Sequence, residues 1–205
     1  MNISNDLIAF DSEFRKHHKI ICGVDEAGRG CLAGEVFAGA VIFDETAYID
    51  GLNDSKKLSA KKRDILYDEV ISKCVCYCVA TASVDEIEHL NILNASMLAM
   101  KRAIDGLSIK PDLVLVDGNK IPNLDIPVQS IVKGDGKSFS IAGASILAKV
   151  SRDRYMLDMA NKYPNYAFDK HKGYGTKLHY QKLEEFGECE IHRPSFLKKF
   201  YDKLR

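Results

Sequence analysis

The chain has 205 residues, 46% of them hydrophobic and 28% charged, a length and composition that suit one well-cored globular domain. No apolar run approaches the roughly 20 residues that span a bilayer, and Met1 to Phe10 lacks the basic start and long apolar core of a signal peptide, so a cytoplasmic protein is expected. The net charge of zero is unevenly divided: residues 1–132 hold 14 Lys+Arg against 20 Asp+Glu, and residues 133–205 hold 15 against 9. An excess of −6 followed by +6 points to a nucleic acid as a natural partner of the C-terminal part.

Residues 4–17 fit a leading helix with Ser4 or Asn5 as its cap. Ile20-Ile21-Cys22-Gly23-Val24 then runs straight into Asp25-Glu26 and the turn Gly28-Arg29-Gly30. A short apolar run bounded by turn signals reads as a buried strand. Two carboxylates at its end repel each other unless a cation or proton joins them. The glycines let backbone approach a ligand closely, and Arg29 supplies a planar fork suited to phosphate. Val36 to Phe43 forms a second buried strand, and the short connection suits an antiparallel neighbour.

A polar loop, Gly51 to Ser59, leads into a helix over 60–73 capped by Ser59. Lys56 and Lys57 concentrate charge just before that helix, where cations oppose the macrodipole. A solvated face and a phosphate contact both remain open for them. Cys74 to Ala82 reads as a third strand, with Cys74, Cys76 and Cys78 on one face. Buried reduced thiols explain that spacing better than ligands do, and the six cysteines contain no CxxC pair. Ser83-Val84-Asp85-Glu86 is a capping box that opens a long helix to about Gly106, with Asn91 and Asn94 on its surface.

Leu113-Val114-Leu115-Val116-Asp117-Gly118 repeats the design of the first strand, an apolar run ending in Asp and then Gly. The helix before it supplies the crossover that a parallel pairing needs. Pro127 to Val132 is a fifth strand, followed by the turn Lys133-Gly134-Asp135-Gly136-Lys137. Ser138 or Ser140 starts a helix from Ile141 to about Lys162, and small residues near its start let it lie close on a sheet. Ser145, Lys149 and Arg152 fall at i, i+4 and i+7, a polar stripe, although a Lys149–Asp153 pair explains part of it equally well. Beyond Tyr163-Pro164 come a basic aromatic loop, Lys170 to Thr176, a helix over 177–186 capped by Thr176 and stopped by Gly187, and a final helix over 196–204. Residues 165–205 thus read as a helical segment packed on a main domain of residues 1–164.

Strands that end in acids place those acids where open α/β sheets collect ligands. Asp25, Glu26, Asp117 and Asp135 stand beside such ends, and oxygen-only ligands suit Mg²⁺ or Mn²⁺. Two such ions about 4 Å apart, beside basic loops, are the arrangement for in-line phosphodiester hydrolysis. A P-loop or dinucleotide fingerprint is absent around Gly28-Arg29-Gly30. A non-catalytic nucleic-acid-binding module is the alternative, but it has no need of clustered carboxylates.

The blocks Gly23 to Gly30, Val116-Asp117-Gly118, Lys133-Gly134-Asp135, Ser145 to Asp153 and His171 to Thr176, in this order and spacing, together resemble bacterial ribonuclease HII. The resemblance implies a ribonuclease H-like α/β fold: a mixed five-stranded sheet flanked by helices, with a C-terminal helical extension. It implies an endonuclease that cuts the RNA strand of RNA–DNA hybrids and nicks duplex DNA 5′ to embedded ribonucleotides, so removing misincorporated ribonucleotides and RNA primers. By the same resemblance Asp25, Glu26, Asp117 and Asp135 hold Mn²⁺ or Mg²⁺, two ions with substrate bound. Gly28, Arg29 and Gly30 read the ribose 2′-hydroxyl mainly through backbone, and Tyr174 senses the ribonucleotide–deoxyribonucleotide junction. Lys56, Lys57, Ser145, Lys149 and Arg152 complete the expected substrate contacts. Only about nineteen residues precede the first strand, which favours this type over ribonuclease HIII with its sizeable N-terminal domain. A monomer is expected, and no clamp-binding motif or other protein partner is identified.

Overall fold

The computed structural model describes residues 3–202. Met1, Asn2 and Lys203–Arg205, which include the end of the expected final helix, lie outside the described residues. Five strands, β1 (Ile21–Ala27), β2 (Val36–Ile42), β3 (Cys76–Ala82), β4 (Leu113–Asp117) and β5 (Val128–Ile131), form one mixed sheet in the order β3-β2-β1-β4-β5. β1 pairs with β2 and β2 with β3 antiparallel, while β1–β4 and β4–β5 are parallel. β1, β2 and β4 are almost entirely buried, as strands covered on both faces must be.

Alternation along the strands decides which residues meet. Cys22 and Val24 of β1, with Val114 and Val116 of β4, pack on one face against Ala95, Ala99 and Met100 of α4 (Ile92–Asp105). Ile21, Leu113 and Leu115 face the other way, onto Ile141 of α5 (Phe139–Lys162). Extending the period of two puts Asp25 and Asp117 on the α5 face. The register pairs Val24 with Val116, so the two aspartates are also neighbours across the ladder. A Cβ on Gly23 would sit 2.1 Å from the Ser140 carbonyl carbon, so glycine is what lets α5 rest directly on β1.

α5 is fixed at its start. Ser138 caps it through the Ile141 N–H. Asp11, on α1 (Ile3–Arg15), accepts from the Ser140 N–H and O–H at 2.8 and 2.7 Å. Ser4 and Asn5 fall inside the first turn of α1 rather than capping it. α2 (Ala60–Lys73), capped by Ser59 as its sequence predicts, covers the same side of the sheet, where Leu66 and Val70 join the cluster around Phe139 and Leu147.

The expected single helix over 83–106 is two helices, α3 (Val84–Leu90) and α4, broken at Asn91. Asn91 has φ 66°, a region that Asn tolerates better than most residues. Its side chain accepts from the Leu93 and Asn94 N–H groups, restarting the helix as a cap. A bidentate Glu86–Arg102 pair at 2.6 and 2.8 Å ties the two pieces together. The third strand begins at Cys76 and not Cys74, which serves as the C-cap of α2. After α5 come α6 (Phe168–His171), α7 (Lys177–Phe186) and α8 (Pro194–Tyr201).

Candidate active site

Asp25, Asp117 and Asp135 each offer a carboxylate oxygen, and the three oxygens lie within 4.8 Å of one another. β1 and β4 bring the first two together. Asp135 arrives on a single 3₁₀ turn, Gly134–Gly136, between β5 and α5. That turn is held by the Gly134 N–H donating to Asp117 Oδ1 at 2.6 Å. Asp25 and Asp135 are buried. Burial, then the nearby Glu26 and Asp117 charges, hold the Asp25 carboxyl well above the usual carboxylate range. Burial and Asp117 likewise raise Asp135, and Lys56, 3.6 Å away, opposes the shift. Glu26 stands outside the three-oxygen cluster, because adjacent residues of a strand point to opposite faces. It pairs with Arg29 at 3.1 Å, and burial still raises its pKa against that cation.

Two clefts flank the cluster and share Lys56. One, of about 360 Å³, is lined by Asp25, Glu26, the Gly28-Arg29-Gly30 turn and Tyr174. The other, of about 450 Å³, is lined by Asp117, Asp135, Lys57, Lys133 and Lys137. Within the turn the two glycines differ. Gly28 has φ 101°, and a Cβ there would meet Arg152 Nε at 2.2 Å, so the fold itself requires it. A Cβ on Gly30 would meet nothing within 4 Å. Gly30, which also lines the first cleft, therefore has open space beside it.

Tyr174 is 40% exposed, with Lys149 Nζ and Arg152 Cζ at 5.4 and 5.7 Å from its ring centre. Burial raises its phenol, so it stays protonated at neutral pH. Lys56 and Lys57 both keep exposed ammonium groups at the clefts, Lys57 lying 3.8 Å from Asp54.

The polar stripe on α5 divides. Ser145 is buried and donates to Ser55 Oγ at 2.7 Å, tying α5 to the Lys56 loop at the floor of the first cleft. Lys149 pairs with Asp153 at 2.6 Å. The expectation that Arg152 contacts phosphate is corrected by its surroundings. It has no exposed surface, and its guanidinium donates to the carbonyls of Glu35, Lys172 and Ala33. Helical spacing identified a polar face, but α5 turns the end of that face into the protein.

Several groups at the site escaped sequence reasoning. Asp54 lines the second cleft and caps the 3₁₀ turn Ser55–Lys57 by accepting the Lys56 N–H at 2.9 Å; an Asp immediately before a short turn was the available signal. Arg193, wholly buried, holds the glycine turn from behind. His179 bonds the Tyr174 carbonyl at 3.0 Å. Neither carries a local signal.

The donor set fits a hard divalent cation: oxygen ligands only, converging, with the Asp25 and Asp135 carboxyls raised first by burial and then by neighbouring negative charge. Lys56 offsets part of that charge from outside the cluster.

The chain matches the family model described as Ribonuclease HII over residues 22–199. It is 55% identical to a ribonuclease HII of Caldicellulosiruptor bescii over 201 residues, covering 97% of this chain and 98% of the relative. It is 56% identical to one of Burkholderia cenocepacia over 184 residues, covering 90% and 86%. Among solved structures it resembles ribonuclease H2 from Pyrococcus horikoshii OT3 at TM-score 0.73 and 25% identity, covering 91% of this chain and 99% of that one. The fold is shared with Bst-RNase HIII, solved in complex with Mn²⁺, at TM-score 0.58 and 15% identity, covering 82% and 63%. With the acidic cluster, the glycine turn and the mixed sheet in place, the chain belongs to the ribonuclease HII family and is an endoribonuclease of the ribonuclease H class.

Proposed function

We propose that this enzyme nicks duplex DNA on the 5′ side of embedded ribonucleotides and cuts the RNA strand of RNA–DNA hybrids, leaving 5′-phosphate and 3′-hydroxyl ends. The observation that carries this reading is that Asp25 and Glu26 line one cleft together with the Gly28–Gly30 turn, while Asp117 and Asp135 reach Asp25 from the adjoining cleft. A catalytic centre and a place for close backbone approach to a ribose are thereby adjacent.

Asp25, Asp117 and Asp135, with Glu26 beside them, hold Mn²⁺ or Mg²⁺. Two such ions, when bound, would supply charge for activating water and for stabilising the leaving 3′ oxygen. The protein's own groups do the rest. Lys56 and Lys57 offset phosphate charge at the clefts. The Gly28–Gly30 backbone meets the 2′-hydroxyl, which is what separates RNA from DNA at one nucleotide. Tyr174 packs its ring against the neighbouring deoxyribose, where an added hydroxyl changes the fit.

The test is a DNA duplex carrying one ribonucleotide, incubated with Mn²⁺ or Mg²⁺ and mapped at nucleotide resolution. A single nick 5′ to the ribonucleotide is expected. Cleavage confined to longer RNA–DNA hybrids would overturn the single-ribonucleotide reading, and no cleavage with either metal would overturn the assignment of the site.

A further inference from the structure

The segment carrying His192 and Arg193 builds the wall behind the ribose cleft. Residues 31–34, which follow the glycine turn, are held on both sides by loops from the C-terminal part. The Leu32 N–H donates to the Gly173 carbonyl, the Gly34 N–H to the Ile191 carbonyl and the Arg193 N–H to the Leu32 carbonyl, each at 2.8 Å. Cys31 bridges to Tyr174 and Ala33 to His192.

Arg193 has no exposed surface. Its guanidinium donates to the Gly28, Arg29 and Cys31 carbonyls at 2.9, 3.2 and 2.9 Å and twice to that of Gly34. Every peptide here is trans, so each C=O points opposite to the N–H of the next residue. Carbonyls of Gly28 and Arg29 drawn back onto Arg193 therefore turn the N–H groups of Arg29 and Gly30 outward. Among the described residues neither N–H meets a protein acceptor. A cation on the two carbonyls also polarises these peptides and strengthens the outward donors.

His192 works on the other wall. The Cys189 N–H donates to its Nδ1 at 2.8 Å, which leaves its Nε2–H to donate to His179 Nε2 at 3.0 Å. His179 must then carry its proton on Nδ1 and donate it to the Tyr174 carbonyl at 3.0 Å. His171 stacks on His179 with ring centres 4.2 Å apart and receives the Gly173 N–H on Nδ1. One dipeptide thus reaches both the glycine turn and the tyrosine loop.

We propose that His192 and Arg193 are positioning residues for ribose recognition: Arg193 aims the Arg29 and Gly30 amides at the 2′-hydroxyl, and His192, through His179, sets Tyr174 opposite them. This inference rests on the reading of Gly28–Gly30 and Tyr174 as ribose contacts. Lysine cannot replace the arginine, because one ammonium does not span carbonyls that a planar fork of five donors reaches together.

The test measures binding without cleavage, in an Asp117→Asn background. The readout is the ratio of affinities for a duplex with one ribonucleotide and its all-deoxy counterpart, a quantity that general loss of stability does not move. Asp117→Asn alone is expected to favour the ribonucleotide duplex, and adding Arg193→Lys is expected to cut that preference at least tenfold. Met100→Ala, which removes volume from the opposite face of the sheet, is expected to lower stability and keep the ratio. An unchanged ratio with Arg193→Lys would overturn the inference while leaving ribose reading intact. Equal affinities already in Asp117→Asn would overturn the ribose reading and this inference with it. Should Arg193→Lys fail to fold, His192→Gln decides in the same way: a reduced ratio supports the positioning role and an unchanged one refutes it.

Discussion

The carboxylate cluster and the frame behind the glycine turn follow opposite electrostatic plans. At the cluster, three acidic oxygens crowd within 4.8 Å, and among the described residues Lys56, 3.6 Å from Asp135, is the cation paired with them. In the frame, Arg152 and Arg193 are fully buried with their guanidinium groups donating to backbone carbonyls, and His192 and His179 are linked in a single consistent proton arrangement. The first region is unsatisfied until something cationic arrives. The second needs nothing. A fold that must accept a metal and a phosphodiester has to carry unpaired charge at that point, and such charge destabilises the site that holds it. Rigidity then has to come from groups that face away from the ligand.

The comparison breaks most sharply at Asp117. Asp117→Asn keeps the size of the side chain and an oxygen for the Gly134 N–H, and removes one negative charge from the cluster. Cleavage is expected to fall by about 10²–10³-fold or more, the scale for losing one preorganised group that stabilises transition-state charge. Binding of duplex should persist, because the lysines and the frame remain. Unchanged cleavage would remove Asp117 from the chemistry.

Gly30→Ala sharpens the other side. The free protein has room for the methyl group, so its melting temperature is expected to change little. If substrate backbone occupies that space, a displacement of about 1 Å costs roughly 10²-fold in rate. Full activity in Gly30→Ala would show that nothing approaches the turn there. Gly28→Ala separates the two roles, since it should damage folding as well by colliding with Arg152.

Much of the site was legible because its signals are local. An apolar run ending in an acid shortly before a glycine occurs at both Asp25 and Asp117, and both ends fall where open α/β sheets collect ligands; that the two share a face came from the register. Ser59, Ser83 and Thr176 cap their helices as their spacing predicts, and Ser138 is the cap of the two candidates at 138 and 140, since a capping hydroxyl acts within three residues. The break at Asn91 was hidden because the apolar spacing continues through it on both sides. Arg152 misled for a related reason. Helical periodicity identifies a polar stripe, but only the packing of residues 33–35 and 172 determines that its last member points into carbonyls. Arg193 and the histidines lie furthest from any sequence signal. Arg193 bonds carbonyls more than 150 positions earlier in the chain, and nothing in the amino acid types announces such a partner.

The most direct measurement is thermal stability against pH, for wild type and Asp25→Asn, with and without Mn²⁺. An acid whose folded pKa is raised contributes stability that is fully present below its unfolded value, about 4, and is lost as pH rises through the folded value. Asp25, Glu26 and Asp135 all belong to this class. Burial lowers His179 and His192 to about 4, which gives the opposite slope. Their contribution is present above the unfolded value near 6.5 and lost as pH falls toward 4. The histidine slope is common to both proteins, so the difference between them isolates the cluster. Without metal, wild type is expected to lose stability relative to Asp25→Asn as pH rises. Mn²⁺ at a hundred times its dissociation constant should restore about 2.7 kcal/mol to wild type and far less to Asp25→Asn. Parallel pH profiles without metal, or an equal Mn²⁺ response in the two proteins, would contradict a cluster held in wait for a cation.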